Sequence, residues 1–385
     1  MSSKTRVIVP LGLHQIFAWG SSYYLLTVLA APIARDTGWS LAWITAGFSI
    51  GLISSSLISP SAARAIVRFG GARVLAFGSA LLSLGLAGLA FAPSLPFYIL
   101  SWTVFGAGMG CALYDAAFST LGQLYGAEAR RPITTLTLFG GFASTVCWPL
   151  SAYLVETFGW RETCLFYAAI HLFVSVPVLL LLLPRKTGNG KPDTKAKAPE
   201  GHRRNLLLLT LIFVTGSAIF SIMSIHLITL LQSLGLALAA SVALGTLVGP
   251  SQVGARVVEI VLGSRYHPVW TLVTSATLIC CGIILLTFGF PITAACLVLY
   301  GAGNGIWSIS RGTVPLALFG AEDFPAIMGR LAKAAFLAQA VAPFAAAQII
   351  QLSGEQSALA AIAALSVLNL GLVLLLRVRS RGQAL

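Results

Sequence analysis

The chain has 385 residues, of which 57% are hydrophobic and only 9% charged, with a mean hydropathy of +0.90. A soluble domain carries roughly 25% charged residues, so this composition excludes one. The net charge of +13 would suggest a nucleic-acid partner on a soluble chain, but here the basic residues punctuate apolar segments, the pattern of membrane-topology determinants.

A bilayer crossing needs roughly 20 apolar residues. Runs of that kind lie at roughly 8–32, 41–63, 74–92, 97–125, 133–155 and 162–183, then at roughly 205–231, 240–263, 269–289, 291–319, 325–350 and 357–377. The spacing predicts twelve transmembrane helices. Lys4 and Arg6 precede the first run in the manner of a signal peptide. That run is as long as a full span and no small-residue cleavage site follows, so it reads as an uncleaved first helix. Short turns such as Asp36-Thr37-Gly38-Trp39-Ser40 and Pro93-Ser94-Leu95-Pro96 join the spans. One connection is long and polar, and its Lys, Pro, Gly and Ala content is that of a linker. The expected organisation is therefore 1–184, a six-helix half; 185–204, a basic cytoplasmic linker; and 205–385, a second six-helix half.

Charge predicts orientation. Lys4, Arg6, Arg64, Arg68, Arg73, Arg130, Arg131, the linker, Arg265, Arg330, Lys333, Arg377, Arg379 and Arg381 fall on one set of connections, against Arg35 and Arg161 on the other. Excess Lys and Arg marks the cytoplasm, which places both termini inside, as an even number of spans requires. The six cysteines, Cys111, Cys147, Cys164, Cys280, Cys281 and Cys296, lie in apolar stretches without metal-knuckle spacing and read as small hydrophobes. No metal or cofactor is expected.

An internal repeat predicts the architecture. The fourth span begins Phe105-Gly106-Ala107-Gly108-Met109-Gly110 and ends Leu124-Tyr125-Gly126-Ala127-Glu128; the tenth begins Tyr300-Gly301-Ala302-Gly303-Asn304-Gly305 and ends Leu318-Phe319-Gly320-Ala321-Glu322. Pro149 and Pro343 follow at the same offset, and Gly47 and Gly51 echo Gly245 and Gly249. Parallel six-helix repeats are one known design of secondary transporters. The Gly-x-Gly-x-Gly runs sit inside apolar helices and read as surfaces for close helix approach, not as a phosphate cradle, which must follow a strand. Pro149 and Pro343 are expected to kink the fifth and eleventh spans, with neighbours satisfying the freed carbonyls.

On these features the chain resembles the major facilitator superfamily over essentially its whole length. Arg68-Phe69-Gly70-Gly71-Ala72-Arg73 is similar to a degenerate form of the family's cytoplasmic gating loop, with Arg68, Gly71 and Arg73 in the motif positions; the acidic residue normally ahead of the first Arg is missing from Ala62 to Val67. Gly159-Trp160-Arg161 also looks like this superfamily. Tyr114, Arg130-Arg131, Gly140-Gly141, Pro149-Leu150 and the run Gly249 to Arg256 resemble its monocarboxylate and oxalate–formate porter branch. The resemblance implies an all-α fold of two six-helix bundles, rocker-switch alternating access, and a cavity lined by spans one, four, seven and ten.

An ionisable group inside a bilayer is costly and is a functional hypothesis by default. Asp115, Arg256, Glu259 and Arg311 stand out. Arg256 and Glu259 share a helix face three residues apart, close enough to pair. Asp115 reads either as a proton-binding carboxylate or as the partner of a salt bridge with Arg311. Arg256 reads either as a bidentate site for a carboxylate or as a charge neutralised by Glu259. His14, Gln15 and His226 read as hydrogen-bonded packing groups or as proton switches. Tyr23 is a pocket candidate, Trp19 a packing residue, and Asn304 a cavity contact whose amide needs partners in a dry setting.

The sequence thus predicts a secondary transporter for a small solute, an organic anion such as a monocarboxylate moved with a proton, with no enzymatic activity. Its partners would be the solute, protons and the bilayer; the protein would be a monomer in a bacterial inner membrane. Export of a drug or toxic compound through the same fold is the main alternative. A membrane-embedded enzyme or sensor is a third, but the chain has no Gly-x4-Gly-Lys-Ser/Thr run, no His-Glu-x2-His run and no loop long enough for a catalytic domain.

Overall fold

The computed structural model describes residues 3–184, 200–263 and 266–381, which are helical and contain no strand. The expected linker falls mostly on 185–199, and Arg265 on 264–265, both outside the described residues. Ten stretches are long and apolar enough to cross a membrane, and two of them, Leu95–Phe158 and Thr293–Ser353, run to 64 and 61 residues. A crossing takes roughly 20 residues, so eight single stretches and two double ones make twelve crossings among the described residues.

The chain divides into two compact units, Met1–Ala196 with Gly320–Phe336, and Lys197–Phe319 with Leu337–Leu385. In the first unit α1 (Ser3–Gly20) and α2 (Leu25–Thr37) form one interrupted crossing. α3 (Leu41–Phe69) and α4 (Gly71–Ala90) are continuous. α5 (Leu95–Ala112) and α6 (Tyr114–Tyr125) are two halves of the fourth crossing, and α7 (Arg130–Gly141) and α8 (Ala143–Phe158) of the fifth. α9 (Trp160–Ala169) and α10 (Val176–Leu182) flank a π-helical segment, Ile170–Ser175. In the second unit α11 (Glu200–Ser233) is followed by α12 (Leu238–Gly245), α13 (Val248–Leu262) and α14 (Pro268–Thr287). α15 (Thr293–Ser353) holds the tenth and eleventh crossings and contributes to both units, and α16 (Glu355–Arg381) is the last.

The repeat seen in the sequence has a backbone cause. Gly126 (φ 57°) and Gly320 (φ 73°), the central glycines of the two matching Leu-aromatic-Gly-Ala-Glu runs, both have positive φ, where a residue with a Cβ is strained. At each of them the chain leaves one crossing for the next. Gly38 and Gly235, and Gly159 and Gly354, make a second and a third matching pair with positive φ.

The Gly-x-Gly-x-Gly runs divide their faces between two neighbours, as residues two apart on a helix must. A Cβ on Gly106 would overlap the Gly51 carbonyl and one on Gly110 would press on Ser55, both in α3, whereas one on Gly108 would strike Gly78 and Leu82 of α4. The second unit repeats this, with Gly301 and Gly305 against Val248 and Gln252 of α13 and Gly303 against Ser275 and Ile279 of α14. Serines use the proximity: Ser55 Oγ donates to Gly106 O at 2.7 Å and Ser275 Oγ to Gly303 O at 2.8 Å. The echo between α3 and the eighth crossing is looser. Gly47 and Gly51 make room for the fully buried Trp102, but Gly249 has no neighbour that a Cβ would meet.

Where a helix is interrupted, side chains from other crossings supply the missing donors. α5 ends at Ala112, with Leu113 extended (ψ −171°), so the carbonyls of the last turn lose their helical partners. Ala112 O accepts from Gln15 Nε2 at 2.8 Å and lies 3.2 Å from His14 Nε2. Pro343 has no N–H to give to the carbonyl four residues earlier, and Ser221 Oγ donates to that atom, Gln339 O, at 2.8 Å. His226 Nε2 reaches Pro343 O at 3.0 Å.

Two stability effects follow. Gly106→Ala gains up to ~1 kcal/mol of helix propensity, yet overpacking against the α3 backbone costs roughly 1–3 kcal/mol; a lowered melting temperature is expected, while Gly249→Ala should be neutral or stabilising. Equal melting of the two variants in detergent would contradict the packing argument. Ser221→Ala should cost roughly 1–3 kcal/mol, the loss of a donor to a buried carbonyl. Ser224→Ala, which removes a hydroxyl bonded only to its own helix at Phe220 O, should be silent in the same melting measurement.

Candidate substrate and coupling sites

In the first unit the interruption at Leu113 sets the site. It places Asp115 in the first turn of α6, where the positive end of the helix dipole favours a carboxylate, and the side chain is buried. Beside it Tyr114 stacks on Phe118 with ring centroids 5.0 Å apart and donates its hydroxyl to Thr137 O at 3.2 Å. Tyr114 also faces Trp19 at 4.9 Å; Trp19 lies 4.5 Å from Tyr23, which meets Phe48 edge-on at 5.2 Å. The aromatic residues of the first crossing therefore form one wall with the residue preceding Asp115. Tyr23 is half-buried within it.

His14 belongs to a buried polar cluster that sequence reasoning only half found. Its ring is 6.3 Å from that of His171, and His171 Nε2 is 2.8 Å from Ser21 Oγ. The signal for His171 is the π-helical segment that contains it, a distortion frequent at functional sites but invisible to hydrophobic periodicity. Because a carbonyl only accepts, His14 Nε2 carries a proton when it bonds Ala112 O. Its Nδ1 is 3.5 Å from Ser79 Oγ, whose hydroxyl reaches Leu75 O at 3.0 Å.

The expected gating loop is anchored within the same unit. Arg68 lies over the Phe69 ring at 5.0 Å. A Cβ on Gly71 would overlap Thr120 of α6, and Gln123 Nε2 of α6 donates to Ile66 O at the end of α3 at 3.1 Å. Arg73, the third motif residue, is exposed near the start of α4. On the other set of connections Asp36 forms an ion pair with Arg161 and accepts from Trp160 Nε1 at 3.0 Å, which gives the Gly159-Trp160-Arg161 motif a physical role in joining α2 to α9.

In the second unit Arg256 is buried, and its Nε donates to Gly305 O at 3.2 Å, with Nη2 at 3.3 Å from Gln252 Oε1. Glu259, three residues on, accepts from Thr271 Oγ1 of α14 at 2.7 Å. Arg311 is buried with its guanidinium 5.8 Å from the Phe213 ring, and Phe213 packs on Trp307 at 5.5 Å. Asn304 is buried between Gly303 and Gly305. His226 is spoken for by its bond to Pro343 O. Sequence reasoning missed Phe213 and Trp307, since an aromatic residue in an apolar helix carries no mark of its neighbours.

Among the described residues no group of three potential metal ligands occurs, and the six cysteines are free thiols, five buried and Cys281 exposed. Open clefts of about 630 and 550 Å³ lie near the two ends of α11, the first beside Thr229 and Ser353 and the second beside Arg203 and Arg204, away from these buried charges.

Residues 11–309 match the model of the Major Facilitator Superfamily. The chain is 32% identical over 169 residues to an uncharacterized 38 kDa protein in the 23S RNA operon of Thermoproteus tenax, covering 43% of this chain and 44% of that one. It is 33% identical over 193 residues to monocarboxylate transporter 11 of Mus musculus, covering 47% and 40%. The chain thus spans less than half the length of these relatives. The crystal structure of the human organic anion transporter MFSD10 (TETRAN) superposes with a TM-score of 0.78 at 17% identity, covering 97% of this chain and all of that one, which is a likeness of fold. With twelve crossings, a two-fold glycine repeat and a family match over most of its length, the chain belongs to the major facilitator superfamily of transporters.

Proposed function

We propose that this transporter moves a small organic anion, a monocarboxylate by preference, together with a proton, by rocker-switch alternating access. The observation that carries the reading is Arg256, buried within the second unit and oriented by Gly305 O and Gln252. A guanidinium presents five donors in a rigid fork that matches a carboxylate, and it keeps its charge when buried. The likeness to monocarboxylate transporter 11 over 193 residues supports the same substrate class. Arg311 would add a second positive group, Asn304 and Tyr23 polar contacts, and Glu259 would hold α13 against α14 through Thr271.

Asp115 is the proposed proton carrier, because a carboxylate whose charge is alternately favoured by a helix dipole and opposed by burial can exchange a proton as its surroundings change. His14 and His226 then serve the backbone rather than the substrate. Arg68, Gly71 and Arg73 form the gating loop, with α6 as its anchor. The excess of Lys and Arg on one set of connections supports cytoplasmic termini; a bacterial inner membrane and a monomeric state complete the proposal. The aromatic wall of Trp19, Tyr23, Phe48 and Tyr114 favours a second reading, export of a bulky apolar compound.

Purified protein in liposomes with an internal pH dye distinguishes them. Carboxylates added outside should cause protein-dependent acidification beyond acid leak. Arg256→Lys should raise the half-saturating concentration about tenfold or more, the loss of a charge-assisted hydrogen bond. No signal across the panel from folded protein would overturn the organic-anion reading in favour of export. Asp115→Asn should abolish acidification while leaving exchange of labelled carboxylate; acidification at the normal rate in that variant would remove Asp115 from coupling.

A further inference from the structure

We propose that the end of the second unit at which α11 begins and α16 ends is a binding site for the phosphodiester headgroup of an anionic lipid. Its centre is the cleft of about 550 Å³ lined by Arg203, Arg204, Leu206, Leu207 and Thr210. Both arginines are exposed there, and a pair of guanidinium forks, with the Thr210 side chain nearby, is the donor set that phosphate oxygens require.

α16 brings more charge to the same level. Asn369 Nδ2 of α16 donates to Ile212 O at 2.9 Å and to Thr215 Oγ1 at 2.7 Å, which fixes the two helices side by side at that height. From there Arg204 lies eight residues toward the start of α11 and Arg377 eight residues toward the end of α16, about 12 Å along each axis at 1.5 Å per residue. The Arg377 guanidinium lies 3.7 Å over the ring of Trp270, in the first turn of α14, and Arg379 is exposed one turn-half beyond. Four arginines thus gather at one end of the unit.

The lining is as informative as the charge. Leu207 and Val378 are 61% and 69% exposed, an apolar surface that water does not favour and that acyl chains would cover. Trp270, 40% exposed, is the residue type enriched at the boundary between hydrocarbon and headgroups. Cationic forks at the level of an interfacial tryptophan, with leucine and valine beside them, match a molecule that is a phosphate at one end and hydrocarbon at the other. A free phosphate would use the arginines alone. Basic pockets between transmembrane helices are suited to such headgroups.

Native mass spectrometry of the delipidated full-length protein tests this independently of transport. Phosphatidylglycerol should bind in preference to phosphatidylcholine, and Arg203→Gln with Arg204→Gln should weaken it about thirtyfold, as expected for two arginines near a membrane surface. Arg64→Gln with Arg131→Gln, which alters two exposed arginines of the first unit, should leave it unchanged. Inorganic phosphate should not displace the lipid. Equal binding of the two lipids, full retention in the folded Arg203/Arg204 variant, equal loss in the control variant, or displacement by phosphate alone would each overturn the proposal.

Discussion

In hydrocarbon there is no water to satisfy a broken helix, and each orphaned carbonyl or amide costs several kcal/mol. That constraint explains the polar residues of this chain better than any pattern of hydrophobicity. The fourth crossing is interrupted at Leu113, and Gln15 and His14 from the first crossing supply donors to Ala112 O. The eleventh carries Pro343, and the Ser221 hydroxyl from the seventh supplies Gln339 O with the donor that proline lacks. Polar side chains in apolar helices are here spent largely on backbone. Asp115, Arg256 and Arg311 are buried ionisable groups, which a bilayer makes costly to keep, and they remain the candidates for substrate and coupling.

The interruptions also create chemistry. Breaking the fourth crossing starts a new helix at Tyr114 and puts Asp115 on its positive end, so one defect both requires capping and generates the environment of the carboxylate. In the second unit the carbonyl that orients Arg256 belongs to Gly305, whose missing side chain lets the two helices come close enough for that bond. The glycine repeat and the buried guanidinium are thus one arrangement. Replacing the glycine would move the carbonyl and with it the arginine.

Much of this was legible in the sequence, and the reasons are physical. Twelve apolar runs survive as crossings because the bilayer thickness sets their length whatever the substrate. The repeat was visible because both of its parts, the close-packed Gly-x-Gly-x-Gly runs and the positive-φ glycines Gly126 and Gly320, disfavour a side chain, so both halves spell them alike. The sites were legible only as residue types. Asp115, Arg256 and Arg311 could be named from the cost of burying charge, but the bonds from Arg256 to Gly305 and from Thr271 to Glu259 could not be read from spacing. Helical phase describes one helix; those partners lie mostly on others. His171 and Ser221 were overlooked for the same cause, since their value lies in a break elsewhere in the chain.

The central claim is that these buried charges serve the passage of a carboxylate. Counterflow tests it without reliance on a proton gradient: liposomes loaded with unlabelled monocarboxylate are placed in a trace of labelled compound, and internal label is followed with time. The account predicts a transient accumulation of label above equilibrium, present with the intact protein, retained in Asp115→Asn and lost in Arg256→Ala. Absence of accumulation with folded intact protein across small carboxylates, or accumulation undiminished in Arg256→Ala, would contradict it.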